Sequence, residues 1–416
     1  MKLFSYLLVA CAGLGLFACN TENDPVIENG DGVTKSVSLK LNGISGSLNT
    51  KAVEPGTAVA GKIVLKDLKI VFYDKTAANG PIYRIEEFDG TSTNPTDVAN
   101  WTALTGTAGY IFHDLDPKVN AVLVVGNWKN EGKSFTWTHV TSIKSSVLLA
   151  ANENKAVSDF SPTPVTSTKN YVTLWGQDED ISPTFTDPVH PGATTYSAAV
   201  NIKPLVSRFE IGNIQCTDLN TPGSIYSSFD LKGIGLIDMS LENTIAQSEI
   251  PGVSSPRLVI NTNIIESGTP GAGQYLFGSP TNAISWAYNS ITPVTISAAT
   301  TIYNPEGTKK FVYNFFPDPT GFPNIKLVLD NVMLKTGPES SFDYVVTANF
   351  KDSPTGSTVV PSAGKIYTID LAFKEENIGP WDPDLFKCVI VNVTVADWVI
   401  VPLYPDRKST RLNSSH

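Results

Sequence analysis

Phe386-Lys387-Cys388-Val389-Ile390-Val391-Asn392-Val393-Thr394-Val395-Ala396-Asp397-Trp398-Val399-Ile400-Val401-Pro402-Leu403-Tyr404 is the most β-prone stretch of the 416-residue chain. Val389, Val391, Val393 and Val395 fall on one face at the two-residue period of a strand. Ala396-Asp397 interrupts the run, after which Trp398, Ile400 and Pro402 share one parity and Val399, Val401 and Leu403 the other. A strand that is apolar on both faces must be covered on both, or it becomes an aggregation edge. Two readings follow: a buried last strand of its own sandwich, or a strand that pairs with another subunit.

Upstream, the same grammar repeats. Residues 37–41 alternate, with Val37, Leu39 and Leu41 on one face. The run 63–74 predicts a strong strand with Leu68, Ile70 and Phe72 inward, and 119–125 reads as a central strand. Further strands are expected at 171–176, 198–214, 229–237, 311–316, 325–329, 342–350 and 366–373, with breaks at Pro317-Asp318-Pro319-Thr320-Gly321 and Gly379-Pro380-Trp381-Asp382-Pro383. Residues 152–160 fit a loop or a short helix equally well. No 3.6-residue period is sustained and no internal repeat is visible. The chain therefore reads as all-β with minor helix, built as two tandem β-sandwiches. They are expected to meet near Asp187-Pro188-Val189-His190-Pro191-Gly192, the most linker-like stretch mid-chain.

Composition narrows the partners. An apolar fraction of 41% excludes a disordered chain. Lys and Arg number 30 against 40 Asp and Glu, so no basic surplus exists to neutralise phosphates, and nucleic acid is excluded as a partner. At the N-terminus, Lys2 and the apolar run 3–18 form a signal peptide too short for a bilayer span. Leu16-Phe17-Ala18-Cys19 resembles a bacterial lipobox, so Cys19 is expected to be acylated (palmitate among the chains) and to anchor the precursor in the outer membrane; an ordinary secretory signal would give the same export without lipid. Asn20-Thr21-Glu22-Asn23-Asp24 looks like the acidic stretch that sends some lipoproteins to the cell surface. Residues 406–416 read as an in-frame translation of a sequencing adapter, foreign to the natural chain. Cys11 falls in the signal, which leaves Cys216 and Cys388. Both lie in or beside strand-like runs, where a buried free thiol is the expectation, although an exported compartment permits a disulfide.

Catalytic chemistry is thin. His113, His139 and His190 stand outside any HExxH or GxSxG pattern, and no phosphate-binding glycine loop is present. Asp178-Glu179-Asp180 lacks the alternating oxygen ligands and turn glycine of a calcium loop. Trp101, Trp128, Trp137 and Trp286 would stack on sugars if exposed, but sandwich cores use the same residues. No cofactor, metal or enzymatic activity is expected.

Several segments together resemble the major fimbrial subunits (fimbrillins) of Bacteroidales, which build type V pili. Thr394-Val395-Ala396-Asp397-Trp398-Val399-Ile400-Val401 looks like their C-terminal signature. Leu48-Asn49-Thr50-Lys51-Ala52 sits where that family carries its processing site, although the residue there is typically Arg. Lys203-Pro204-Leu205-Val206-Ser207-Arg208-Phe209-Glu210-Ile211 and Ile234-Gly235-Leu236-Ile237 resemble mid-chain family segments. The resemblance implies transthyretin-like sandwiches and a division into residues 1–18 (signal), 19–51 (acidic linker plus first strand, removed on processing), 52–195 and 196–385 (the two sandwiches) and 386–405 (donor strands). It implies cleavage between Lys51 and Ala52 by a trypsin-like protease, followed by departure of the strand bearing Val37, Leu39 and Leu41. A neighbouring subunit's strand, with Val389, Val391, Val393, Val395, Trp398 and Ile400, would fill the groove and join a head-to-tail polymer that supports adhesion. Other fimbrial subunits become partners, and the location becomes the cell-surface fimbrium. An anchor or tip subunit, a monomeric surface glycan-binding lipoprotein and a secreted hydrolase are the rival readings.

Overall fold

The computed structural model describes residues 35–44, 62–129, 133–154, 170–186, 194–237, 240, 242–249, 288–304, 311–318, 321–337, 344–348, 360–379 and 391–402. All of them belong to the unit Thr34–His416. Val, Ile, Leu and Thr runs, whose branched side chains suit a pleated surface, build most of the regular structure.

The first sandwich has two sheets. One is ordered β5 (Tyr110–Leu115), β1 (Lys35–Asn42), β10 (Thr194–Asn201), β9 (Ser182–Thr186). The other is ordered β11 (Lys203–Pro204), β8 (Leu174–Asp178), β6 (Ala121–Gly126), β3 (Asp67–Tyr73), β4 (Ile82–Asp89). Their inner faces meet at Phe72 and Phe112, whose rings pack edge-on at 4.8 Å. The second sandwich pairs the sheet β16 (Phe311–Phe315), β12 (Ser207–Cys216), β19 (Lys365–Phe373), β20 (Val391–Asp397) with the sheet β15 (Tyr288–Ile296), β13 (Tyr226–Ile237), β17 (Asn324–Leu334), β18 (Tyr344–Ala348). Tyr313 donates from its hydroxyl to the Ile234 carbonyl at 3.2 Å across that core, and the rings of Phe229 and Phe373 lie 6.0 Å apart. Two small ribbons complete the set: β7 (Val147–Leu149) with β14 (Glu242–Thr244), and β2 (Lys62–Leu65) with β21 (Val399–Pro402).

The helices are α1 (Pro95–Thr105), α2 (Val140–Lys144), α3 (Ala150–Glu153) and α4 (Ile245–Glu249) among the described residues, none long and apolar enough to cross a membrane. Pro occupies the first turn of α1, and the Asn94 side chain accepts from the Thr96 amide at 2.9 Å, a cap that starts the helix. Trp101 and Leu104 bury its inner face.

Two expectations need revision. The run 63–74 is two strands, β2 and β3, that pair with different partners. All seven residues of β3 are buried rather than every second one. Its outer face is covered: Lys69 lies 4.0 Å over the Trp128 ring and 4.2 Å over the Trp137 ring. Asp67 accepts from the Trp128 and Lys129 amides at 2.7 and 3.2 Å and from the Tyr171 hydroxyl, while burial pushes its carboxyl above the ordinary range. The boundary at 195/196 falls inside β10, which belongs to the first sandwich, and the chain crosses to the second between Pro204 and Ser207.

Candidate functional site: the β1 slot and the C-terminal strands

Val37, Leu39 and Leu41 lie on β1, which fills the middle of its sheet rather than an edge. It runs parallel to β10, with Val37, Leu39 and Leu41 opposite Tyr196, Ala198 and Val200. On its other side it is antiparallel to β5, with Val37 opposite Phe112 and Leu39 opposite Tyr110. Val37 and Leu39 are fully buried and Leu41 is 5% exposed. At about 1.5–3 kcal/mol per side chain, these three contribute roughly 5–9 kcal/mol of apolar burial, before the cost of ordering the strand.

Glycines admit the neighbouring backbone at the middle and at the end of β1. Gly109 leads into β5 with φ +82, and a Cβ there would stand 2.7 Å from the Leu39 carbonyl oxygen. Gly43 closes β1 with φ +87, where a Cβ would meet the Ile202 carbonyl oxygen at 2.6 Å. Polar ties hold the start of the strand. Lys35 donates to the Val119 carbonyl and lies 4.1 Å over the Tyr196 ring, and burial pushes its ammonium down. The Ser36 hydroxyl and His113 Nδ1 are 3.2 Å apart.

The C-terminal strands lie against the rest of their own chain. Along β20, Val391, Val393 and Val395 are in register with Leu371, Ile369 and Tyr367 of β19. Trp398 then turns inward: its amide donates to the Gly364 carbonyl at 2.9 Å, and its ring lies 5.2 Å from the Arg208 guanidinium. Trp398 and Ile400 are 6% and 2% exposed, within the same apolar core as β1. A donor role therefore requires these strands to leave a seat that they already occupy. Cys19, Lys51, Ala52 and Val389 lie outside the described residues, Lys51 and Ala52 on the stretch between β1 and β2.

Arg208 is the buried hub beneath this seat. Its Nε stands 3.1 Å from Glu210 Oε1, and its Nη1 donates to Asn170 Oδ1 at 2.8 Å. The Asn170 carbonyl in turn accepts from the Val64 amide of β2 at 3.2 Å. The sequence marks Arg208 only within a resembling segment, and nothing local announces its partners. A second tie leaves no mark in the local sequence. The Asn154 side chain donates to the Asn314 carbonyl at 2.7 Å and accepts from its amide at 2.8 Å, as a neighbouring strand would, on the outer edge of β16. It joins the two sandwiches.

The remaining candidates have ordinary partners. His139 precedes α2. Asp178 accepts from the Ala199 amide at 2.8 Å, Glu179 from the Tyr73 hydroxyl at 3.2 Å, and Asp180 pairs with Lys75 at 2.6 Å. Trp101 is fully buried, and Trp128 and Trp137 present their rings to Lys69. Trp286 and His190 lie outside the described residues. Cys216 is a buried free thiol pushed up to about 12 by burial, and Cys388 lies outside the described residues.

No family model and no curated protein matches the sequence. Among solved structures the chain is similar to a candidate cell adhesion protein from Bacteroides eggerthii, at 13% identity over 89% of this chain and 98% of that one, with a TM-score of 0.51. It is also similar to a fimbrilin from Porphyromonas gingivalis, at 12% identity over 89% and 99% of the two chains, with a TM-score of 0.44. A candidate cell adhesion protein from Parabacteroides distasonis gives 12% identity, 89% and 98% coverage and a TM-score of 0.44. These descriptions name adhesion and fimbrial proteins and no enzyme. At such identities the likeness is one of fold, and the first of these carries it: the chain is an all-β protein with the fold of that B. eggerthii protein.

Proposed function

We propose that this chain is the structural subunit of a cell-surface fimbria, exported as a lipoprotein through Cys19 and polymerised by donor-strand exchange. The observation that carries the reading is the placement of β1: a central strand whose removal leaves an apolar slot with unpaired backbone on both sides. Cleavage between Lys51 and Ala52 would cut its only covalent tie to the sandwich. Val37, Leu39 and Leu41 repeat at the same two-residue period as Val391, Val393 and Val395, so a donor strand can present the same pattern to β10 and β5. Filling the slot would restore about as much apolar burial as β1 provided, roughly 5–9 kcal/mol before ordering costs. Head-to-tail joining of this kind does not close, so it extends as a filament that supports adhesion. The likeness to the B. eggerthii protein supports the reading at the level of fold.

N-terminal sequencing of protein sheared from cells tests it. The expected first residue is Ala52. Recovery of Cys19 in the assembled filament would assign the chain to an anchor, and filaments that form with β1 retained in every subunit would refute the exchange.

A further inference from the structure

Ile44 and Lys62 are the described residues on either side of the stretch 45–61. Both flanks of that stretch come back to one residue of the C-terminal strand. Ile44 forms a parallel bridge with Ile400, and Ile63 of β2 is in parallel register with the same Ile400. A residue in extended backbone offers hydrogen-bonding groups to two sides, so β21 lies between the end of the β1 segment and β2. Ile400 and Ile63 are buried, whereas Val399, of opposite parity, is 40% exposed.

The attachment of β21 is uneven. Upstream it is firm: the Trp398 amide bonds the Gly364 carbonyl, and Asp397 pairs with Lys365. From Val399 onward the backbone partners include β2 on one side and Ile44 on the other. Loss of Ile44 removes the bridge at Ile400 and leaves the four-residue parallel pairing with β2 to carry more of the attachment. Parallel pairs are the weaker kind.

We propose that β21 senses the presence of β1: departure of β1 withdraws Ile44 from Ile400 and loosens β21 in the same step. One cut thus opens the acceptor slot and loosens the last part of the donor of the same subunit, while an uncut precursor keeps both closed. The proposal rests on the exchange reading for the reason β1 leaves, but the coupling itself is a property of Ile44, Ile63 and Ile400. Coupling of this kind is reciprocal, so losing β21 must also loosen the end of β1.

Hydrogen exchange read by mass spectrometry on the full chain tests it, with a sequence-specific protease site inserted between residues 48 and 54. After cutting and displacement of β1, exchange at 399–401 is expected to rise by about tenfold or more, while β3 and β6 stay protected. In the uncut chain, Ile44→Gly is expected to raise exchange at 399–401 several-fold, and truncation after Asp397 to raise it at 42–44. If β1 stays protected after the cut, the exchange reading fails, and Ile44→Gly alone then decides the coupling. Exchange at 399–401 within about twofold of the parent in Ile44→Gly, or unchanged after β1 has demonstrably left, overturns the proposal.

Discussion

Leu39→Ala separates a strand that stays from a strand that leaves. Leu39 is fully buried at the middle of β1, flanked by Ala198 and Tyr110. Truncating a buried Leu costs about 2–5 kcal/mol, the transfer of the lost carbons plus the cavity left behind. Strands on both sides limit how far this site can collapse, so about 3 kcal/mol is a reasonable central value. For a cooperative unit of about 150–250 residues, each kcal/mol moves the midpoint by about 2–4 °C, giving a fall of roughly 6–12 °C for the uncut monomer. If β1 leaves on assembly, position 39 is absent from the assembled subunit, and the filament should dissociate at an unchanged temperature. Scanning calorimetry of the monomer and detergent-dissociation temperature of the filament are the two readouts. Equal losses in both would mean that β1 remains in the assembled subunit, and no loss in the monomer would mean that β1 is not part of its core.

Asn154→Ala removes two side-chain bonds to the backbone of Asn314 and should cost about 1–3 kcal/mol, read as a single calorimetric transition separating into two. Lys326, 1% exposed on β17, has its ammonium pushed down to about 6 by burial, against an ordinary value of 10.5. Between those values the unfolded chain binds the extra proton, so stability should rise with pH from about 6 to 10.5, and Lys326→Met should flatten that slope in urea midpoints while stabilising the protein at pH 7.

The parts of the fold legible in the sequence are those with local causes. The alternation of Val37, Leu39 and Leu41 marks β1 because one face of that strand is apolar and inward. α1 was not among the expected elements: its start carries a cap signal in Asn94-Pro95 followed by Asp97, but its Thr-rich composition hides it among loops. Asp67 and Lys69 read as outward-facing because charge ordinarily seeks water. Their burial depends on Trp128, Trp137 and Tyr171, which lie 59 or more residues away and leave no local mark. The junction lies later than the linker-like composition at 187–192 suggests for the same reason: parallel pairing of β10 with β1 joins residues far apart in the sequence. Of the candidate site, Trp398 and Ile400 were identifiable as apolar strand residues. That they occupy the core of their own chain depends on Arg208, Gly364 and Ile44.

The crossing between the sandwiches sets how the molecule would carry a pull. β10 passes into β12 through residues 202–206, and that passage is itself fastened, with the Ile202 amide on the Asn42 carbonyl and the Leu205 amide on the Thr173 carbonyl. β12 lies beside β19, the last strand of the second sandwich to stay in place if β20 leaves as a donor. Tension entering at the β1 slot would therefore pass into the second sandwich along hydrogen-bonded ladders, with no slack tether between the two sandwiches among the described residues. Ladders loaded lengthwise share the force among many bonds, whereas ladders peeled from one end yield bond by bond. With the Asn154 side chain clasping β16, little of that force would be spent on hinging, and the subunit would behave as a stiff link that resists stretching until a ladder shears.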